Sequence, residues 1–166
     1  MARRGVLLAA YESKYSPKHY VHAMEFYDVV RTRRSIRSYT DTPIPSDALG
    51  RVLEATRLSP SGSNRQPWKF YVVKEEDKRR RVANACGGQT WIAEAPVVVV
   101  AAGRKIPSNR GGYIGDMGFI MDVCIALTHL ILAARAEGLG TCWIGDFDNG
   151  EVKEALGLPD EQYVVA

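Results

Sequence analysis

The chain is poor in cysteine, and this scarcity excludes two classes of protein. Only Cys86, Cys124 and Cys142 occur among its 166 residues, and no C-x-x-C spacing is present. Because three cysteines cannot all pair within one chain, a disulfide-stabilised scaffold is excluded, as are zinc-finger and thioredoxin-like motifs. We expect the three cysteines to be small buried apolar residues in a reducing compartment.

Familiar catalytic and metal-binding sets are also missing. The chain contains no G-x-S-x-G, and His19, His22 and His129 each stand apart from a full set of metal ligands. Asp116 and Asp122 are six residues apart, which puts them on poorly matched faces of a helix. The sequence therefore predicts no metal site and no side chain that acts as an essential acid or base.

The net charge is small, but its distribution is uneven. The chain carries 22 basic and 19 acidic side chains, a net charge of +3. Residues 1–38 hold eight basic and three acidic side chains, whereas residues 39–166 have a slight acidic excess. This pattern favours a local anion site near the first helix over a broad nucleic-acid surface.

Hydrophobic runs are too short or too interrupted to predict a membrane protein. Residues 5–10 are too few for a secretory signal. Asp122 and His129 interrupt the apolar stretch of residues 117–134, and a membrane span needs about 20 apolar residues. We therefore expect a buried helix in a soluble, cytoplasmic protein with no membrane partner.

The apolar periodicity predicts one domain over residues 24–166, preceded by an arm over residues 1–23. A short helix is predicted from Met24, and further helices are predicted over residues 46–58, 75–85, 113–137 and 150–156. Ser46 is the predicted N-cap of the helix over residues 46–58. Predicted strands cover residues 68–73, 96–102, 141–144 and 163–166. These elements alone are compatible with both α/β and α+β folds.

Residues 33–37 are the first candidate site. Three guanidiniums and a hydroxyl occur here within five residues, at the end of a predicted helix. Guanidinium groups bind phosphate oxygens in pairs, so the segment suits a phosphate dianion. The alternative is a solvated basic turn.

Two further segments could contact a flat ligand. Residues 59–68 combine small residues, which allow close approach of the backbone, with Ser, Asn and Gln side chains that pair with a heterocycle edge. An ordinary surface turn is the alternative. Residues 138–145 are not a dinucleotide fingerprint, because they lack the G-x-G-x-x-G spacing and follow a helix. They can still present backbone N–H groups to a ligand.

Taken together, the three segments resemble the FMN-dependent nitroreductase family. The family motifs R-R-S-x-R, P-S-x-x-N-x-Q-P-W and G-L-G-T-x-W-I-G match residues 33–37, 60–68 and 138–145 in the same order. The resemblance covers about residues 24–166. It implies an α+β fold with a central, mostly antiparallel sheet flanked by helices. It also implies a homodimer with FMN at the subunit interface and the long helix in the dimer core.

The resemblance also implies a role for each matched residue. Arg33, Arg34 and Ser35 correspond to the residues that hold the flavin phosphate, and Arg37 to the cation that faces N1 and O2 of the ring. The residues that reach the flavin from the partner subunit correspond to Pro60, Ser61, Gly62 and Asn64. The backbone beside flavin N5 corresponds to Ile144 and Gly145.

The implied activity is that of an FMN-dependent NAD(P)H oxidoreductase. Such enzymes transfer hydride by a ping-pong scheme from NADH or NADPH to nitroaromatics, quinones or similar flat small-molecule acceptors. One alternative is a related flavin reaction, dehalogenation or flavin breakdown, for which only residues 103–112 could form a substrate lid. Another is a non-enzymatic module that binds flavin or an anion.

Overall fold

The computed structural model describes residues 24–106 and 115–166. The predicted arm over residues 1–23 lies outside this part of the chain. Three single-turn 3-10 helices cover Gly62–Asn64, Thr90–Glu94 and Gly115–Met117. The α-helices and strands, in chain order, are α1 Phe26–Thr32, α2 Ser46–Arg57, β1 Trp68–Val73, α3 Glu76–Ala85, β2 Val98–Arg104, α4 Gly118–Ala136, α5 Asn149–Leu156 and β3 Gln162–Val164.

The three strands form an antiparallel sheet in the order β1-β2-β3. Phe70 is opposite Ala101 in the first pair, and Tyr163 is opposite Gly103 in the second. The valine and alanine run of β2 occupies the centre because its residues can be buried on both faces of the sheet. The predicted α+β class with an antiparallel sheet is confirmed.

Helices cover both faces of the sheet. On one face, Phe119, Val123 and Leu127 of α4 pack against Ala101 of β2. On the other, α3, α5 and the turn Thr90–Glu94 enclose a second cluster around Val100. A third cluster joins α4 to α2. Helix α4 therefore lies between the sheet and α2, which explains why its sequence is apolar on most sides.

The ends of several elements differ from the prediction. Helix α4 begins at Gly118 after a 3-10 turn, whereas the predicted start at Tyr113 lies outside the described residues. Ser46 is the first helical residue of α2, and its N-cap is Pro45. The turn Thr90–Glu94 was not predicted, because its short apolar sequence has neither helical nor strand periodicity.

The predicted strand over residues 141–144 is wrong. Its β-favouring composition is real, but only Thr141 pairs there, in a single parallel bridge with Ser35. A strand needs a partner ladder, and the chain leaves the Ser35 segment after one residue. This isolated bridge nevertheless fixes the candidate site described below.

Residues 115–136 are long and apolar enough to cross a membrane by length and composition alone, with a mean hydropathy of 2.0 over an 18-residue window. The core helix of a soluble protein meets the same criteria. In this fold Val123, Leu127 and Leu130 on that helix are buried within the protein.

Candidate active site

The first candidate segment follows directly from the end of α1. The Arg33 N–H donates to the Val29 carbonyl at 2.9 Å, and from Arg33 the backbone becomes extended. Arg34 turns back towards the helix, where its Nη1 donates to the carbonyl oxygens of Arg31 and Arg33, both at 2.7 Å. A cation at a helix C-terminus is favourable, so Arg34 helps to end α1. Arg33 is half-buried, while Arg34, Ser35 and Arg37 are exposed.

The first and third segments are joined by backbone pairing. The Ile36 N–H donates to the Thr141 carbonyl at 2.9 Å, and Ser35 forms a parallel bridge with Thr141. This pairing places the predicted phosphate-binding residues beside the chain that continues to Ile144 and Gly145. The structure therefore brings together two segments that are more than a hundred residues apart in sequence.

Two glycines make this junction possible. Gly138 ends α4 with φ +77, a left-handed conformation that other residues rarely adopt, and turns the chain out of the helix. Gly140 lies directly against Ile36, since a Cβ at position 140 would be 3.0–3.3 Å from three carbon atoms of the Ile36 side chain. A larger residue at position 140 would push the two segments apart.

Tyr39 holds the end of the first segment through a hydrogen bond and a ring contact. Its hydroxyl donates to the Ile36 carbonyl at 2.7 Å, and its ring stacks on Trp91 at a centroid distance of 6.3 Å. Burial raises the pKa of Tyr39 to about 12; the nearby Cys142 adds to this shift and Arg37 opposes it. Tyr39 is therefore protonated at neutral pH and remains a hydrogen-bond donor.

The second candidate segment forms a tight loop against α4. The hydroxyl oxygen of Ser61 accepts a hydrogen bond from the Gln66 N–H at 2.9 Å, and Asn64 Oδ1 accepts one from Gln66 Nε2 at 3.1 Å. Ser63, Asn64 and Gln66 all have positive φ values between 48° and 54°. Three non-glycine residues in this region indicate a backbone held by its surroundings, as often occurs at functional sites.

Asp122 connects this loop to the long helix. The Gly62 N–H donates to Asp122 Oδ1 at 2.9 Å. In the sequence Asp122 interrupts an apolar stretch and is six residues from Asp116, and neither feature predicts this contact. No local spacing could have revealed it, because the two residues meet only once α4 packs beside the loop.

The ten predicted site residues thus fall into two groups. Arg33, Arg34, Ser35 and Arg37 lie at the junction with the segment that carries Ile144 and Gly145. The other group, attached to α4, comprises Pro60, Ser61, Gly62 and Asn64. The two segments of the first group are joined by backbone pairing within a single chain.

A cavity of about 330 Å³ lies beside β2, between α4 and residues 138–144. Of the predicted site residues, it is lined only by Ile144, and none of the described residues that line it is charged. A phosphate dianion needs cationic or N–H donors, so this apolar space does not match the chemistry of the candidate site.

His129 is the histidine within the described residues, and it does not form an alternative centre there. His129 lies on α4 with Nδ1 3.3 Å from the Ala55 carbonyl oxygen, while His19 and His22 lie outside the described residues. Among residues 24–106 and 115–166, no three His, Cys, Asp or Glu side chains are grouped as metal ligands.

The donor set at the junction fits FMN. Arg33, Arg34 and Arg37 supply cationic N–H donors for a phosphate group and for an electron-rich ring edge. A Cβ built on Gly145 meets no heavy atom of the described residues within 4 Å, so the backbone there is open on that side. These features combine a cationic end with an open stretch of backbone.

Comparison with known proteins identifies the family. The sequence profile of the Nitroreductase family matches residues 30–108 and 85–166, which together cover most of the chain. The crystal structure of a nitroreductase family protein from Clostridium novyi NT has a TM-score of 0.79 and 35% identity, covering 86% of this chain and 82% of that chain. The chain therefore belongs to the nitroreductase family.

Two further relatives carry more specific names. An FMN-dependent nitroreductase from Clostridium difficile R20291 has a TM-score of 0.72 and 28% identity, covering 83% of this chain and 82% of that chain. The FMN reductase (NAD(P)H) of Bacillus subtilis is 32% identical over 141 residues. That match covers 76% of this chain but only 57% of the Bacillus protein.

Proposed function

We propose that this protein is an FMN-dependent NAD(P)H oxidoreductase that reduces nitroaromatics, quinones or a similar flat acceptor in the cytoplasm. The observation that carries the proposal is the hydrogen-bonded junction between Ile36 and Thr141. It joins the segment that carries Arg33, Arg34 and Arg37 to the segment that leads to the open backbone at Gly145. Membership of the nitroreductase family and the FMN-dependent relative support the same cofactor.

Each residue at the junction has a separate binding role. Arg33, Arg34 and Ser35 would bind the FMN phosphate through charge-assisted hydrogen bonds. A guanidinium has five N–H donors, so Arg34 can cap α1 and still donate to phosphate. Arg37 would lie against the N1 and O2 edge of the flavin, where it stabilises negative charge. The backbone at Ile144 and Gly145 would lie beside N5.

FMN, when bound, supplies the acceptance and release of a hydride, and the protein supplies binding, orientation and electrostatics. We therefore assign no side chain of this chain a role as catalytic acid or base.

We further propose a homodimer in which residues 60–64 of one subunit complete the flavin site of the other. Met117 at the N-cap of α4 is followed at one-turn intervals by Met121 and Ile125, and these residues are 44%, 49% and 37% exposed. An exposed apolar row on a helix is typical of an interface. The loop at Gly62 is attached to α4 at Asp122, next to this row.

The direct test is the colour and reduction of the purified protein. After incubation with FMN and removal of unbound flavin, we expect a yellow protein that NADH or NADPH bleaches without oxygen. Adding a nitroaromatic or quinone should restore the colour, while free FMN at the same concentration serves as the control. A protein that binds FMN but is not reduced would be a binding module, and failure to bind FMN would overturn the proposal.

A further inference from the structure

Asp122 is a carboxylate on α4 that binds a backbone amide of the loop at Gly62. It lies on α4, half-buried, and its Oδ1 accepts the Gly62 N–H at 2.9 Å. Within the described residues, no Lys, Arg or His nitrogen forms an ion pair with it. The backbone amide of Gly62 is therefore the partner that the structure gives this charge.

Both carboxylate oxygens of Asp122 are near Gly62. A Cβ built on Gly62 would be 3.8 Å and 3.9 Å from them, which is ordinary van der Waals contact. The Gly62 N–H donates to one of the two, Oδ1.

The residues that follow Gly62 need such an anchor. Ser63 and Asn64 have φ values of 53° and 54°, a region that is unfavourable for residues with a Cβ. The loop also contains the Asn64 N–H to Ser61 carbonyl bond of 2.9 Å, which closes the turn around Gly62 and Ser63. The Asp122 contact attaches this turn to α4.

We propose that Asp122 is a positioning residue for flavin binding. By holding the Gly62 amide, it fixes the orientation in which Ser61 and Asn64 meet the cofactor. Asp122 acts through the loop and does not itself touch the flavin. This inference rests on the proposed function, in which residues 60–64 contact FMN.

Two substitutions separate positioning from charge. Asp122→Ala removes the acceptor, whereas Asp122→Asn removes the charge but keeps an oxygen at Oδ1 that can accept the same N–H. Asp116→Ala, on the exposed turn that precedes α4, is the matched control for loss of a carboxylate. If Asp122→Ala fails to fold, Asp122→Ser, whose shorter side chain does not reach Gly62, replaces it.

Two readouts are required. The first is amide hydrogen exchange at Gly62 in the protein without FMN, followed by NMR, and the second is the Kd for FMN. In Asp122→Ala we expect faster exchange at Gly62 and FMN binding weakened about tenfold, because part of the binding free energy must then order the loop. Asp122→Asn should restore most of both properties, and Asp116→Ala should resemble the wild type.

Three results would overturn the inference. They are unchanged exchange at Gly62 in Asp122→Ala, faster exchange with unchanged FMN affinity, and an Asp122→Asn protein that behaves like Asp122→Ala. A wild-type protein that binds no FMN would instead overturn the proposed function. The exchange measurement still tests the Asp122 contact in that case, so the two failures are distinguishable.

Discussion

The Ile36 N–H donates a 2.9 Å hydrogen bond to the Thr141 carbonyl oxygen, and this bond defines the candidate active site. It pairs the segment after α1 with the segment after α4. Arg135 reinforces the same arrangement, because its Nε donates to Thr32 Oγ1 at 2.9 Å and so ties the end of α1 to α4. The cationic segment is therefore oriented by helix packing as well as by the bridge.

The first prediction concerns the glycine at this junction. Gly140→Ala places a Cβ about 3.0 Å from Ile36 Cγ1, which forces the two segments apart. We expect a loss of about 1–3 kcal/mol in the free energy of unfolding, as for other overpacked sites, and weaker FMN binding. Chemical denaturation and flavin titration measure the two effects.

Gly50→Ala is the matched control for this substitution. Gly50 lies within α2, and a Cβ there meets no described heavy atom within 4 Å. Alanine in a helix interior should stabilise the protein by about 0.5–1 kcal/mol relative to glycine. Equal effects of the two substitutions would contradict the close contact between Gly140 and Ile36.

Much of the fold could be predicted from sequence, because the continuous apolar runs of β2 and α4 indicate that both elements are buried. Residues 33–37 and 138–145 could be proposed as a site only through their motifs. Their contact depends on one backbone bridge at Thr141, which leaves no periodic signal. The Asp122 and Gly62 contact was not predictable for the same reason, since it arises from packing between distant segments.

The second prediction tests the proposed dimer. Met121→Glu introduces a charge into the exposed apolar row on α4, where Met121 is 49% exposed. Burying that charge in an interface without a partner is unfavourable, so the variant should sediment as a monomer at micromolar concentrations at which the wild type is a dimer. Asn84→Glu, at an exposed position of α3 on the opposite face of the sheet, provides a comparison. A wild-type monomer at these concentrations would contradict the dimer.

The third prediction tests whether the two groups of site residues act across subunits. Arg33→Ala and Asn64→Ala should each weaken FMN binding, because a hydrogen bond to a charged group contributes about 1.5–3 kcal/mol. In mixed dimers of the two variants, one site carries both defects and the other carries neither. Half of the sites should then bind FMN with wild-type affinity, as measured by flavin titration. No recovery after verified subunit exchange would argue against sharing of the site between subunits.

The fourth prediction concerns the ion pair between α2 and the end of α4. Arg51 donates from Nε to Glu137 Oε1 at 2.8 Å and from Nη2 to Oε2 at 2.7 Å. The hydrogen bond from Arg51 lowers the pKa of Glu137, while the neighbouring Asp47 carboxylate opposes this shift. The pair therefore stabilises the fold above the unfolded-state pKa of Glu, about 4.3, and this stability is lost as the pH falls through the lowered folded-state pKa.

The Glu137→Gln protein should consequently melt below the wild type at neutral pH, and the difference should shrink towards zero in acid. The effect is modest because Arg51 is 42% exposed and solvent screens the pair. Glu54→Gln, which removes a surface pair with Arg57 within α2, is the control and should have a smaller effect. Thermal unfolding across the acid range measures both, and a pH-independent difference for Glu137→Gln would contradict the assignment.

The last prediction separates electrostatic from acid–base roles. His129 is engaged with the Ala55 carbonyl on α2, and Cys142 Sγ lies 3.7 Å from the carbonyl oxygen of Trp143, so neither has a catalytic partner among the described residues. His129→Asn and Cys142→Ala should therefore reduce turnover only as far as they reduce stability or FMN content.

Arg37→Ala should act differently, because the reduced flavin loses the cation that stabilises its negative charge. We expect its midpoint potential to fall by on the order of 30 mV, the shift for a tenfold change in a two-electron couple. Potentiometry and stopped-flow reduction of FMN-loaded protein measure these effects. A folded, FMN-loaded His129→Asn or Cys142→Ala protein that is reduced about a hundredfold more slowly would reveal an acid–base role, and an unchanged potential in FMN-loaded Arg37→Ala would remove the role assigned to Arg37.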